Sequence, residues 1–225
     1  MTTAAATHSE NRRRRNPEER PQQILAAALE EFGESGLAGA RLEDIAQRAG
    51  VAKGTIYLYF PTKEALFREV IRTTVVVRIE NAERELEAVD RAAHAPSAET
   101  TLREFMRAWW DTLRSTRYER MHRLVVGELH RFPDLVRFYS DEVVLRGRRL
   151  VAALIQRGID RGEFRQMDAA VAARLTTSSI MTHAASICPT GVMNDLHGLP
   201  HEVVFDQVMD FILHALRPAT SPAVQ

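Results

Sequence analysis

Apolar side chains recur every three to four positions along most of this chain, the spacing of one buried helical face. Ile24, Leu25, Ala28, Leu29 and Phe32 mark the first such face. Ahead of it, Asn16-Pro17-Glu18-Glu19 predicts a helix start, with Asn as cap, Pro at the first helical position and Glu three residues after the cap. Gly33 and Gly36 predict its end. Leu42, Ile45, Ala46 and Ala49 predict a short second helix closed by Gly50, and a third runs from the turn at Val51 to about Tyr59. Pro61 stops the third helix, and Thr62 caps a long fourth one with Glu64 in its first turn. Inside the fourth, the run VIRTTVVVRI (Val70 to Ile79) is β-branched enough to suggest a strand. The helical spacing of Leu66, Phe67 and Val70 before it, and the charges from Glu80 to Glu87 after it, favour helix. Residues 90–98 read as a loop. Beyond it, helices are expected at about 98–116, 117–129, 134–161, 168–186 and 202–217, with Phe132-Pro133-Asp134 starting the third of these and Gly162 ending it. The last carries Val203, Val204, Phe205, Val208, Met209, Phe211, Ile212, Leu213 and Leu216. Its apolar arc is wide enough to predict burial from more than one side, as by a partner subunit.

Composition narrows the functional class only slightly. The 225 residues are 45% hydrophobic and 27% charged, an ordinary globular balance, and the formal net charge is zero. Residues 1–65 hold nine basic and nine acidic residues, so any positive surface for a nucleic acid must be local. Seven of those acids lie around the first helix or at the start of the second, where they are expected to face away from a groove. Arg12 to Arg15 make residues 1–16 a candidate basic arm, and residues 218–225 a candidate disordered tail. The only lysines are Lys53 and Lys63. The single cysteine, Cys188, cannot close an internal disulfide, no secretory signal opens the chain, and the uncharged run from Leu175 to Asn194 is broken by Thr, Ser, His and Pro. The expectation is a cytoplasmic chain with no membrane partner.

Two short helices crossing steeply across a tight turn impose local demands. Ala46 supplies the small residue at the crossing, Gly50 the tolerance of positive φ four residues later, and Ile56 the apolar anchor six residues beyond. Leu42, Ile45, Val51 and Phe60 complete a small core with the first helix. The segment IAQRAGVAKGTIYLYFPTKEALF, together with the helix ending in Phe32, Glu34 and Gly36, resembles the signature of TetR-family transcriptional regulators. The resemblance covers about residues 17–67; the remainder matches in layout only. It implies an all-α fold, with an N-terminal three-helix helix-turn-helix domain (17–63) and a larger C-terminal helical domain (64–217) for ligand binding and dimerisation.

With Ala46, Gly50 and Ile56 turned inward, Lys53, Gly54, Thr55, Tyr57 and Tyr59 are expected to face outward, where a recognition helix meets the major groove of double-stranded DNA. Lys53 can donate to guanine acceptors, Thr55 offers a methyl or a hydroxyl, and Gly54 permits close backbone approach. By the resemblance, Thr55, Tyr57, Tyr59 and Lys63 occupy positions the family uses for DNA. Arg41 stands where the family commonly has Thr at the start of helix two. The resemblance also implies a homodimer built on the last two helices, here Val204, Phe205, Val208, Phe211, Ile212 and Leu216 with the helix at 168–186, on an inverted-repeat operator. It implies a small-molecule pocket as well, for which Met106, Trp109, Trp110, Met121, Phe138, Tyr139 and His183 are candidates. A repressor released by its ligand is the leading expectation. An activator, a protein-responsive regulator, or an all-α enzyme with a chance helix-turn-helix are the competing ones. Glu119-x-x-His122 matches half of a di-iron helical motif, which requires a second copy that the sequence lacks, so no metal, no other cofactor and no catalytic residue is expected.

Overall fold

A computed structural model describes residues 20–91, 96–186 and 198–218. The expected cap at Asn16, the basic arm, Cys188 and most of the C-terminal tail lie outside these residues. The described chain is helical throughout and contains no strand. Its helices are α1 (Arg20–Gly39), α2 (Leu42–Ala49) and α3 (Lys53–Tyr59), followed by a long α4. α4 comprises Lys63–Ile71, a π-helical turn at Arg72–Val76 and Val77–Arg91. After it come α5 (Ala98–Leu113) and α6 (Thr116–Glu128) with a 3₁₀ turn at Leu129–Arg131. α7 is again composite, with Pro133–Tyr139, a π turn at Ser140–Leu145 and Arg146–Asp160. α8 (Ala169–Ser186) and α9 (His201–Leu216) complete the order.

Local sequence accounts for the boundaries. Gly50 adopts φ 64°, and the following amide, Val51 N, closes onto Ala46 O at 3.0 Å, ending α2 as the spacing predicts. Thr62 Oγ1 accepts from Ala65 N at 3.1 Å and caps α4. Gly162, with φ 72°, ends α7. Gly33 is the exception among the predicted punctuation: it lies inside α1, and the break comes at Gly36, where φ is 71°. The β-branched run in α4 is helical, but its centre under-winds into the π turn. There the crowded side chains of Thr73, Thr74, Val75 and Val76 gain one extra residue per turn.

α1 to α3 and the start of α4 share one core: Phe32 and Phe67 pack edge to face at 5.5 Å, and Ile24, Ile45, Ile56 and Leu66 are fully buried beside them. α2 is fastened to α1 by Arg48, which meets Glu30, Glu31 and Glu34. A single arginine thus bridges three acids of α1, and the cluster keeps a net negative charge. The larger domain stacks α7 on α8 and α5, with Trp110 packed edge-on against Phe205 of α9 at 5.5 Å.

Candidate nucleic-acid interface and ligand cavity

α3 is seven residues long and buries a single one of them, Ile56. That anchor, wedged over Ala46, turns the rest of the helix out. Tyr57, Leu58 and Tyr59 are 41%, 80% and 37% exposed, Lys53 and Gly54 are exposed, and Thr55 is half-buried. Leu58 was not among the sequence candidates, because an apolar residue in so short a helix reads as core. A Cβ built on Gly54 would meet nothing within 4 Å. The packing around it therefore imposes no steric need for a glycine there.

Glu43 and Lys63 are engaged in ways the sequence did not anticipate. Glu43, in the first turn of α2, faces α3: Lys53 Nζ lies 2.7 Å from Glu43 Oε1, and the Tyr57 hydroxyl donates to the same oxygen at 3.3 Å. The Lys53 hydrogen bond leads the causes that bring the Glu43 carboxyl down to about 2, and the same contact pushes the Lys53 ammonium up. Lys63 is half-buried and donates to Ala38 O at 2.7 Å and Ala40 O at 3.5 Å, so it holds the end of α1 and its following turn. Arg41 is exposed as the N-cap residue of α2 without a side-chain capping bond.

In the larger domain a cavity of about 370 Å³ opens among α5, α6, α7 and α8. Of the seven sequence candidates, Met106, Trp109 and Tyr139 line it. Trp110 and Met121 are buried in the core instead, Phe138 lies under the guanidinium groups of Arg68 and Arg72 at 5.6 and 5.9 Å, and the His183 ring pairs with Ser179 O. The wall is completed by Phe105, Tyr118, His122, Val125, Val126, Val143, Val144, Val151, Met181 and the polar Arg148, Thr177, Ser178 and Thr182. Tyr118 stacks on His122 at 5.8 Å. Burial pushes the phenols of Tyr118 and Tyr139 up and the His122 imidazole down, so at neutral pH all three are uncharged.

The six expected dimer residues divide. Val204, Phe205, Ile212 and Leu216 are buried within the protomer, Val208 is half-buried, and Phe211 is 75% exposed. Val203 and Phe211 on α9, with Val171 and Leu175 on α8, form the outward apolar face of these two helices. Among the described residues no helix is long and apolar enough to cross a membrane.

The family model of the N-terminal domain of TetR-family bacterial regulatory proteins matches residues 24–70, and that of the C-terminal domain of AefR-like transcriptional repressors matches residues 100–215. The HTH-type transcriptional regulator RutR of Escherichia coli is 43% identical over 70 residues, 31% of this chain and 33% of that protein. The chain thus matches about a third of RutR's length. The HTH-type transcriptional regulator YfiR of Bacillus subtilis is 30% identical over 147 residues, 65% of this chain and 69% of that protein. Among solved structures, NalD of Pseudomonas aeruginosa, the secondary repressor of a multidrug efflux pump, superposes with a TM-score of 0.71 at 20% identity, covering 91% of this chain and 100% of that one. FadR of Bacillus subtilis bound to stearoyl-CoA gives 0.65 at 22% identity, covering 87% and 99%. At these identities the structural matches speak to the fold.

Proposed function

The chain belongs to the TetR family of bacterial regulatory proteins, and from that premise we propose that it is a dimeric transcriptional repressor whose operator is released when a small molecule fills the cavity of the larger domain. The carrying observation is α3, a helix with one buried residue that presents Lys53, Gly54, Tyr57 and Tyr59 outward on a rigid three-helix support. An enzyme or scaffold has no use for that face. Lys53 would read base edges, Gly54 would let the backbone close on the groove, and the tyrosine hydroxyls and Thr55 would bind phosphates or thymine methyls. Dimerisation through Val171, Leu175, Val203 and Phe211 would place two recognition helices on half-sites about one helical turn apart.

Release follows from which helices line the cavity. α6 supplies Tyr118, His122, Val125 and Val126 to the wall, and at its C-terminal end Glu128 Oε2 accepts from Ala38 N of α1 at 3.0 Å. α7 supplies Tyr139, Val143 and Val144, and carries Phe138 beneath Arg68 and Arg72 of α4. A ligand that binds better when α6 and α7 are spread would favour a state in which α1 and α4 are held differently and the α3 pair no longer fits its half-sites. The regulators RutR and YfiR, the repressor NalD and the acyl-CoA-bound FadR are relatives and neighbours consistent with this reading.

The test is selection of duplexes from a random library by the purified protein, followed by binding to the enriched sequence with wild type and Tyr57→Ala. An enriched inverted repeat, bound by the wild type and lost in the variant with helicity intact, is expected. Failure to enrich any sequence with intact helicity and dimer would reject the DNA-binding reading.

A further inference from the structure

Within the cavity the distribution of charge is one-sided. Among the described residues its wall contains no aspartate or glutamate, and Arg148 is the one permanently charged residue there. His122, Tyr118 and Tyr139 are held neutral by burial, and Thr177 spends its proton on Ala173 O at 2.8 Å. Several arginines of this domain have carboxylate partners: Arg107 meets Asp206 at 2.8 Å, Arg217 meets Glu99 at 2.7 Å, and Arg146, two residues from Arg148, meets Glu83 at 2.6 Å, whereas Arg78 donates to the Thr112 hydroxyl at 3.1 Å. Arg148 makes no ion pair among the described residues. The body of the wall is aliphatic and aromatic, from Met106, Val125, Val143, Val151 and Met181.

We infer that the cavity takes an amphipathic monoanion, an apolar body carrying one carboxylate that Arg148 receives. This rests on the reading of the cavity as a ligand site. A cationic ligand would meet Arg148 with no acid to offset it, and a neutral apolar one would strip water from the guanidinium without giving it a partner. An anionic group answers both demands, and a single carboxylate does so with one charge in the planar two-bond geometry that guanidinium favours. The size is bounded too. At about 370 Å³ the chamber is at the lower end of the roughly 300–1,000 Å³ of small-molecule pockets. Phe105 and Trp109 wall it off from a second chamber between α4, α5 and α7, which carries both signs of charge in Arg78, Glu85 and Glu104.

Trp109 in that wall serves as the reporter. Tryptophan fluorescence of the full chain is titrated with decanoate, decanol and decylamine, and a fluorescent neutral dye, Nile red, probes the apolar chamber separately. Decanoate is expected to bind roughly tenfold to a hundredfold more tightly than decanol or decylamine. Arg148→Gln is expected to bring decanoate to the level of decanol while leaving decanol and the circular dichroism spectrum unchanged. Equal binding of decanoate and decanol to the wild type, or discrimination that survives in Arg148→Gln, overturns the anion assignment. Binding of Nile red without decanoate also overturns it but leaves the cavity reading in place. Binding of none of the four probes overturns both. DNA is absent from every arm, so a failure of the repressor reading leaves the result intact.

Discussion

On the proposed reading of α3 as the recognition helix, Glu43 would compete with DNA for it, and replacing Glu43 tests that assignment. Its carboxylate lies 2.7 Å from Lys53 Nζ and accepts from the Tyr57 hydroxyl at 3.3 Å, so one acid occupies two of the donors proposed to meet the operator. With a pKa of about 2, it is ionised at any pH at which DNA is duplex. Before Lys53 can reach a base edge or phosphate, it must leave this partner, and the partner's charge then faces a polyanion. Lys53 is exposed and Glu43 half-buried at the rim of the helix pair, so the pair is of the weak surface kind. Glu43→Gln keeps the size of the side chain and an acceptor for Tyr57 while removing the charge. Breaking an exposed pair of this kind corresponds to roughly 1.5- to 5-fold in affinity, which compounds to roughly 2- to 25-fold for a dimer on two half-sites. The gain should be largest at low salt, where the screening length is long. Fluorescence anisotropy with the selected operator at 50 and 200 mM salt, for Glu43→Gln and for Glu43→Gln with Lys53→Ala, reads the effect. Tighter binding that disappears when Lys53 is also removed is expected. Weaker binding by Glu43→Gln with unchanged helicity would refute the reasoning, because Glu43 would then itself be accepting from the DNA, as a carboxylate can from cytosine N4.

Three further outcomes concern stability and are read by urea denaturation followed by circular dichroism. A Cβ at Gly158 would lie 2.1 Å from the ring of Phe164, itself 2% exposed, so Gly158→Ala should cost about 1–3 kcal/mol or more, and an unchanged midpoint would show that the ring can move aside. The Thr74 hydroxyl is buried at the π turn of α4 with no hydrogen-bond partner; Thr74→Val should raise stability by on the order of 1 kcal/mol, and a loss of that size would mean the hydroxyl is satisfied in solution. Burial holds the folded pKa of His122 below its ordinary 6.5, so the unfolded chain binds the extra proton first as pH falls. Its contribution is therefore fully present above 6.5 and is lost below it, and His122→Phe should flatten the pH dependence between 7.5 and 5.5 that the wild type shows.

How much of this was legible in the sequence depended on whether the determinants were local. Gly50, Gly162 and Thr62 act within one or two turns of themselves, and each does in the structure what its type and position predict. The crossing of α2 and α3 was legible for the same reason, since Ala46 and Ile56 are close in sequence and buried together. Helix phase against distant partners was not. Trp109 lines the cavity while its neighbour Trp110 fills the core, and nothing between residues 98 and 113 distinguishes them, because the choice is made by α7 and α9. The same holds for α9, which is apolar on two faces. Val204, Phe205, Ile212 and Leu216 face the protomer's own core, whereas Val203 and Phe211 face out. Glu43 was expected, with the other acids of the first two helices, to face away from the groove; only the folded crossing brings Lys53 and Tyr57 to it.

The π turns were equally invisible, since a β-branched run fits both strand and helix preferences until a neighbour decides. Their placement carries the strongest structural argument for coupling between the two domains. The turn at Arg72–Val76 in α4 packs against the turn at Ser140–Leu145 in α7. Val143 and Val144 of the second turn line the cavity, and the first turn follows directly on the part of α4 that packs on α1. A π turn holds one residue more than the α-helix around it, and its backbone bonds can shift register by one residue without breaking the helix. Two such turns in contact let one helix slide a short distance along the other while both cores stay packed. Rigid α-helical packing at the same place would resist any change in the cavity with the full stiffness of the core. In the proposed release, the shift of α7 against α4 would thus be taken up at an imperfection in two helices, where the wall of the cavity meets the stem of the N-terminal domain.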